Sequence, residues 1–211
     1  MTDAVEEPGL RERKRLATRR AIQVAALDIV TERGLDAATV DEIARVADVS
    51  PRTFFNYFPS KEDALLGDRF RLGDPVLIER FVASDGPLFD DLRHVVEASM
   101  TAASDDVELV RRRRTVSKEY PELAARRTTR LHEYELDVAD MVLRRFVHHG
   151  GDEGDRALAE RARLVALVAM AALRESWFRW TEHGEGPGAI TEHLRATFAE
   201  IPGLLADPVG V

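Results

Sequence analysis

The apolar residues of this chain recur at three- and four-residue spacings almost from end to end, and runs of Val, Ile and Thr alternating with polar residues are missing. Such a chain buries its apolar surface as packed helices, so the expected fold class is all-α. Ile22, Ala25, Ala26 and Ile29 set one stripe over about residues 10–33. Gly34 supplies the left-handed residue that ends this helix, and Leu35 folds back on its last turn. Thr39 caps a short second helix carrying Val40, Ile43, Ala44 and Ala47, with Glu42 placed to complete a capping box. After the tight turn ADVS, Ser50 and Pro51 open a third helix that ends near Pro59. Ser60 opens a fourth, with Glu62 and Asp63 in its first turn. Longer helices are expected over about 88–103, 105–119, 121–148, 155–182 and 188–200. GDP and SDGP, around residues 73–87, read as punctuation, and HHGGDEGD and HGEGPG as loops. Residues 1–9 are expected to be disordered, 10–59 to form a three-helix first domain, 60–203 a helical second domain, and 204–211 a frayed tail.

Composition narrows the function classes. A length of 211 residues, 45% of them hydrophobic, suffices for one large domain or two small ones. The absence of cysteine excludes disulfides and thiolate chemistry and suits a reducing, cytoplasmic location. The start MTDAVEEPGL lacks the apolar core of a signal peptide. The longest apolar run, Leu164 to Leu173, is shorter than the ~20 residues a bilayer demands, so no membrane partner is expected. A formal charge of −8 argues against indiscriminate nucleic-acid binding. That charge is uneven, because Leu10 to Lys61 holds ten basic and seven acidic residues. No G-x-S-x-G, P-loop, H-E-x-x-H or G-x-G-x-x-G motif is present, and the six histidines are scattered. Neither an enzyme, nor a metal site, nor a cofactor is expected.

The stretch SPRTFFNYFPSK is the most informative. At 100° per residue, Phe54 and Phe58 fall together and must face the protein. Arg52, Thr53 and Asn56 fall on the opposite side, with Phe55 and Tyr57 flanking. A helix of two turns is unstable alone and must be held by its neighbours. The result is a helix-turn-helix, whose second helix enters a major groove. Arg52 suits guanine, Asn56 adenine, and Thr53 a phosphate or a thymine methyl. Thr39, Tyr57 and Lys61 are candidate phosphate contacts. On these residues alone the face is equally well a solvated surface over aromatic anchors. The basic segment RERKRLATRR is either a DNA contact or a solvated helix start.

The longer stretch TVDEIARVADVSPRTFFNYFPSKEDAL resembles the signature of the tetracycline-repressor (TetR) family of bacterial transcription regulators. The resemblance is close over roughly residues 15–66 and architectural beyond. It implies an all-helical homodimer whose N-terminal parts read double-stranded DNA, at a palindromic operator, and whose C-terminal body binds a small effector. It also implies Thr39, Arg52, Thr53, Phe55, Tyr57 and Lys61 as the DNA-facing set. Two positions depart from the family pattern. Phe55 stands where a tyrosine is usual, and Asp48 where a glycine is usual.

A dimer needs a surface. Leu164, Leu167 and Ala171 with Ile190, Leu194 and Phe198 are expected to make half of an intermolecular four-helix bundle, with Ala166, Ala169 and Ala172 permitting close approach. The plain alternative is a central core helix. For the effector, Met100, Val110, Arg113, Arg127, Tyr134, Met141 and Trp177 are the candidate lining, with Arg145 on the same stripe. Arg113 points inward among Val107, Leu109, Val110, Val116 and Tyr120, where a glutamate or an acidic ligand must pair it. An apolar chamber with embedded arginines suits a fatty acid or acyl-coenzyme A, although the same stripe also reads as ordinary core. The expected function is a repressor released from its operator by such a ligand. The alternatives are an activator of the same fold and a ligand carrier without DNA binding.

Overall fold

The computed structural model describes residues 9–101, 106–183 and 189–206. The expected disordered start, the HGEGPG loop and the frayed tail lie largely outside these residues. The described residues form ten α-helices and no strand, which bears out the all-α expectation. They are α1 (Leu10–Arg33), α2 (Val40–Val46), α3 (Pro51–Tyr57), α4 (Lys61–Leu66), α5 (Pro75–Ala83), α6 (Leu88–Thr101), α7 (Val107–Glu119), α8 (Pro121–His148), α9 (Arg156–His183) and α10 (Ala189–Ala206). A single 3-10 turn, Leu35–Ala37, follows α1.

The chain divides into two compact units, and the division differs from the sequence order expected. The first unit runs to Asp68 and takes in Arg111–Ala124 as well. The second comprises Arg69–Val110 and the chain from Ala125 onward. A boundary at residue 59 separates α4 from α1, yet the two pack together. Most of α7 and the start of α8 likewise belong with the first unit, because Arg112 pairs with Asp28 and Arg113 bonds Gln23, both on α1. Neither partner is visible from the spacing within α7.

In the first unit, α1 packs on α2 and α4, and α2 packs on α3. Ile22, Ala26, Leu27, Ile43, Phe54, Phe58 and Leu65 are among its buried side chains. The chain enters α2 through Thr39, whose hydroxyl accepts the Glu42 N–H at 3.2 Å. The capping box is only half made. Glu42 gives its carboxylate to Arg33 and Arg45 instead, while the Thr39 N–H bonds Ala37 O at 2.9 Å. Asp48 takes the left-handed conformation, at φ 54°, that the α2–α3 turn demands. Gly67 ends α4 at φ 77°, ψ −162°, a region open essentially to glycine. A Cβ there would also stand 2.7 Å from the Arg113 guanidinium carbon.

In the second unit, α9 and α10 pack on each other and on α6, and α5 packs on α6. Leu92, Val96, Met100, Tyr134, Val138, Met141, Ala166, Trp180, Leu194 and Phe198 belong to one buried core. The stretch read as punctuation around residues 73–87 contains α5. Asp74 caps it by accepting the Val76 N–H at 2.8 Å, Pro75 sits at its start, and Phe81 and Val82 are buried. That cap, proline and apolar pattern was present in the sequence but masked by the surrounding glycines and prolines. The last helix also continues past residue 200, through Pro202, to Ala206.

The ring of Phe54 is fully buried while that of Phe55 is 57% exposed. Phe54→Ala should therefore destabilise the first unit by ~3–5 kcal/mol. Phe55→Ala should stay within about 0.5 kcal/mol of wild type. Urea denaturation of the two variants checks the contrast.

Candidate nucleic-acid interface and effector region

The third helix is positioned by its ends and its rings. Ser50 Oγ accepts the Thr53 N–H at 3.0 Å and lies 2.8 Å from Thr53 Oγ1. Phe54 and Phe58 anchor the inner face, and the Phe54 ring meets Phe55 edge-on at 5.5 Å. A residue that the sequence reading passed over completes the clamp. The guanidinium of Arg19 lies 4.2 Å from the centroid of Phe58, donates to Tyr57 O at 3.1 Å and pairs with Asp68. Arg19 thus fixes the end of α3 and is not a solvated member of the basic segment. Arg15 is likewise engaged, by Glu12.

With the inner face fixed, Arg52, Phe55 and Asn56 are exposed on α3, and Thr53 and Tyr57 are half-buried. Thr39 is exposed at the start of α2. Its oxygen accepts the helix N–H, which leaves its own proton to donate. Lys61 differs from the sequence reading. It is half-buried, and its ammonium donates to Leu35 O at 3.1 Å, so it ties the 3-10 turn to α4. Two of its three protons remain for other acceptors. The expected DNA-facing residues therefore share one unit, with Arg52 and Asn56 on the same outward surface.

The expected effector lining is partly gathered and partly dispersed. Met100, Val110, Tyr134 and Met141 are buried in the core of the second unit, and Trp177 packs against it. Arg113 is not among them. It belongs to the first unit, where its guanidinium donates to Gln23 Oε1 at 2.7 Å. Arg145 is buried but answered from within, by Asp91 at 2.8 Å, by Gly86 O at 2.7 Å and by the face of Phe81. A buried guanidinium requires such partners, and here they come from the chain itself. Arg127 is half-buried on α8. Sequence reasoning missed Phe70, whose ring lies 5.8 Å from those of both Tyr134 and Trp177. Burial pushes the Tyr134 hydroxyl up to about 12, so it is a neutral donor at any ordinary pH.

The residues of the expected dimer surface divide into an exposed set and a buried set. Leu164 is 61% exposed and Leu167 43%, and Ala171 is exposed beside them on the same face of α9. Ile190, Leu194 and Phe198 are not available to a partner. They are buried in the core of their own unit, because α10 turns its apolar stripe onto α9 and α6. Ala166, Ala169 and Ala172 also face that core.

Among the described residues no cluster of His, Cys, Asp or Glu could hold a metal ion, and no helix is long and apolar enough to cross a membrane.

Comparison with known proteins places this geometry in a class. Residues 22–66, which hold the helix-turn-helix, match the bacterial regulatory proteins of the tetR family. Residues 86–205, more than half of the chain, match the MftR C-terminal domain. The chain belongs to the TetR family of transcriptional regulators. Among its relatives, the regulator MftR of Mycobacterium tuberculosis (strain ATCC 25618 / H37Rv) is 29% identical over 187 residues, 88% of this chain and 90% of that one. The HTH-type transcriptional regulator TcmR of Streptomyces glaucescens is 44% identical over 59 residues, but these are only 28% of this chain and 26% of TcmR. A solved structure, the TetR-family repressor FadR of Thermus thermophilus in complex with lauroyl-CoA, is 23% identical over 92% of this chain and 98% of that one, with a TM-score of 0.43. At that level of similarity its ligand carries no weight for this chain.

Arg45 and Arg33 together hold the Glu42 carboxyl down at about 2. Its folded value lies below its unfolded one, so its contribution to stability is present above about pH 4.5 and is lost as pH falls toward 2. Glu42→Gln should remove that part of the acid sensitivity, and NMR titration of the wild-type carboxyl against acid unfolding of the variant checks it.

Proposed function

We propose that this protein is a homodimeric repressor that binds a palindromic operator through α3 and releases it when a small, largely apolar molecule occupies the second unit. The observation that carries the reading is the two-sidedness of α3, where Phe54 and Phe58 are buried while Arg52 and Asn56 are exposed. A guanidinium and a carboxamide on one outward helix face are the groups that read guanine and adenine edges. Thr39, Tyr57 and, with its remaining protons, Lys61 would set the register on phosphates. Phe55, lacking a hydroxyl, would contribute apolar contact only. A non-enzymatic, cytoplasmic role fits this reading.

The dimer follows from the same logic. One short helix reads few base pairs, and two copies a helical turn (~34 Å) or more apart are needed for useful specificity. The outward face of α9, with Leu164, Leu167, Ala171 and Phe178, is the surface that supports it. For the effector, the apolar surroundings of Met100, Val110, Tyr134 and Met141 support an apolar body. A fatty acid or acyl-coenzyme A remains a reading of that wall, but its anionic head has lost the support of Arg113 and Arg145, which are engaged elsewhere.

Selection of bound fragments from genomic DNA should yield a palindrome. Arg52→Ala should then weaken binding to it by ~1–3 kcal/mol and relax the preference at one base position, read in a gel-shift series. Unchanged affinity and preference would remove α3 as the reading helix. Separately, Leu167→Glu should shift the protein from dimer to monomer in sedimentation and abolish operator binding while leaving the helical circular-dichroism signal intact.

A further inference from the structure

The core of the second unit contains a polar irregularity that packing does not explain. Tyr134, on α8, is 1% exposed, and its hydroxyl makes no hydrogen bond of normal geometry among the described residues. Ser99, which gives its own proton to Val95 O at 3.0 Å, keeps an oxygen that can accept and opposes the upward shift of that hydroxyl, but its contact with Tyr134 falls short of normal hydrogen-bond geometry. Trp177, on α9, has its indole N–H buried and likewise unpartnered among the described residues. Buried donors are almost always paired, and each exception asks for a cause. These two belong to rings that meet the same third ring. Phe70 lies 5.8 Å from Tyr134, tilted by 49°, and 5.8 Å from Trp177, at 90°.

Phe70 is unlike the other rings of this cluster. It stands in a stretch without helix, between Gly67 and Asp74, and it is only half-buried. Its backbone is tied into no helical ladder, so its ring can leave at lower cost than Tyr134 or the fully buried Trp180.

We propose that Tyr134 and Trp177 bind an uncharged, flat, carbonyl-bearing ring compound, which takes the place of the Phe70 ring and accepts hydrogen bonds from the tyrosine hydroxyl and the indole N–H. The assignment rests on reading the second unit as the effector-binding part and names the class of molecule that unit takes. Three features select the class. Both protein groups are donors, since the indole N–H has no acceptor capacity and the tyrosine stays protonated, so the ligand supplies acceptors. Burial, the largest cause of the upward shift of the Tyr134 hydroxyl, disfavours a charged ligand group beside it. The walls are rings, which meet a flat partner edge-on or offset-stacked. An acyl tail offers methylenes at this point and would leave both donors unpaired.

The test uses the full chain and a matched pair of probes, 9-fluorenone and fluorene, which share a ring system and differ by the carbonyl. Both tryptophans of the chain, Trp177 and Trp180, lie in this cluster, so quenching of intrinsic fluorescence reports on it alone. Fluorenone should bind at least about tenfold more tightly than fluorene. Tyr134→Phe should cut that preference to within about threefold, with a melting temperature unchanged or raised because an unpaired hydroxyl has been removed. Trp177→Phe, with Trp180 as reporter, should reduce the preference as well, and Phe70→Ala should tighten fluorenone binding. Equal binding of the two probes, no binding of either, or a preference that survives both Tyr134→Phe and Trp177→Phe overturns the proposal. So does quenching by lauric acid with none by fluorenone. Operator binding is measured on the same preparations. Loss of the probe result with operator binding intact defeats this site alone. A carbonyl preference in a chain that selects no DNA supports the site and defeats the regulator reading.

Discussion

The burial of Phe54 and Phe58 is the constraint on which the rest of the first unit depends. Their helix, α3, has seven residues, too few to hold itself together in water. Two fully buried rings contribute roughly 1.5–3 kcal/mol each against that deficit. Caps at Ser50 and the guanidinium of Arg19 over Phe58 secure its two ends. Because the rings point inward at a four-residue spacing, positions about half a turn away from them, Arg52 and Asn56 among them, are turned outward. The exposure of Arg52 and Asn56 is thus a consequence of core packing and helical geometry.

A second theme is the way this chain spends its arginines. Arg19, Arg113 and Arg145 each invited a reading as a solvated, DNA-binding or ligand-binding group. Each instead has a partner distant in sequence, Asp68, Gln23 and Asp91, and Arg112 pairs with Asp28 in the same way. Desolvating a guanidinium is costly enough that an internal partner is the general solution wherever the fold can supply one. In α7 these contacts go further and attach Arg111–Ala124 to the first unit, so consecutive turns of one helix belong to different compact bodies. The aromatic group of Phe70, Tyr134 and Trp177 presents the inverse case, with buried polar atoms that find no hydrogen bond of normal geometry among the described residues.

Legibility in the sequence followed the range of the interactions. Caps and periodicity act within a turn or two, and they gave the short helices α2 and α3 at close to their observed bounds and the start of α4. Asp48 accepting a left-handed turn was equally local. Where a cap was present but embedded in turn-forming residues, as at Asp74-Pro75, the helix was missed. The dimer and effector residues fared less well. An apolar stripe on α10 looks the same whether it meets its own chain or another, and Ile190, Leu194 and Phe198 turned out to meet their own. On α9, by contrast, Leu164 and Leu167 remain exposed.

The sequence by itself determined the helical class, the placement of the helix-turn-helix and the polar face of α3, because each follows from contacts between residues a few positions apart. Only the tertiary structure decided which arginines are structural, which apolar faces are spent inside the protomer and where the two units divide. Those outcomes depend on partners dozens of residues away, and the choice among such partners is made by the packing of all the helices at once.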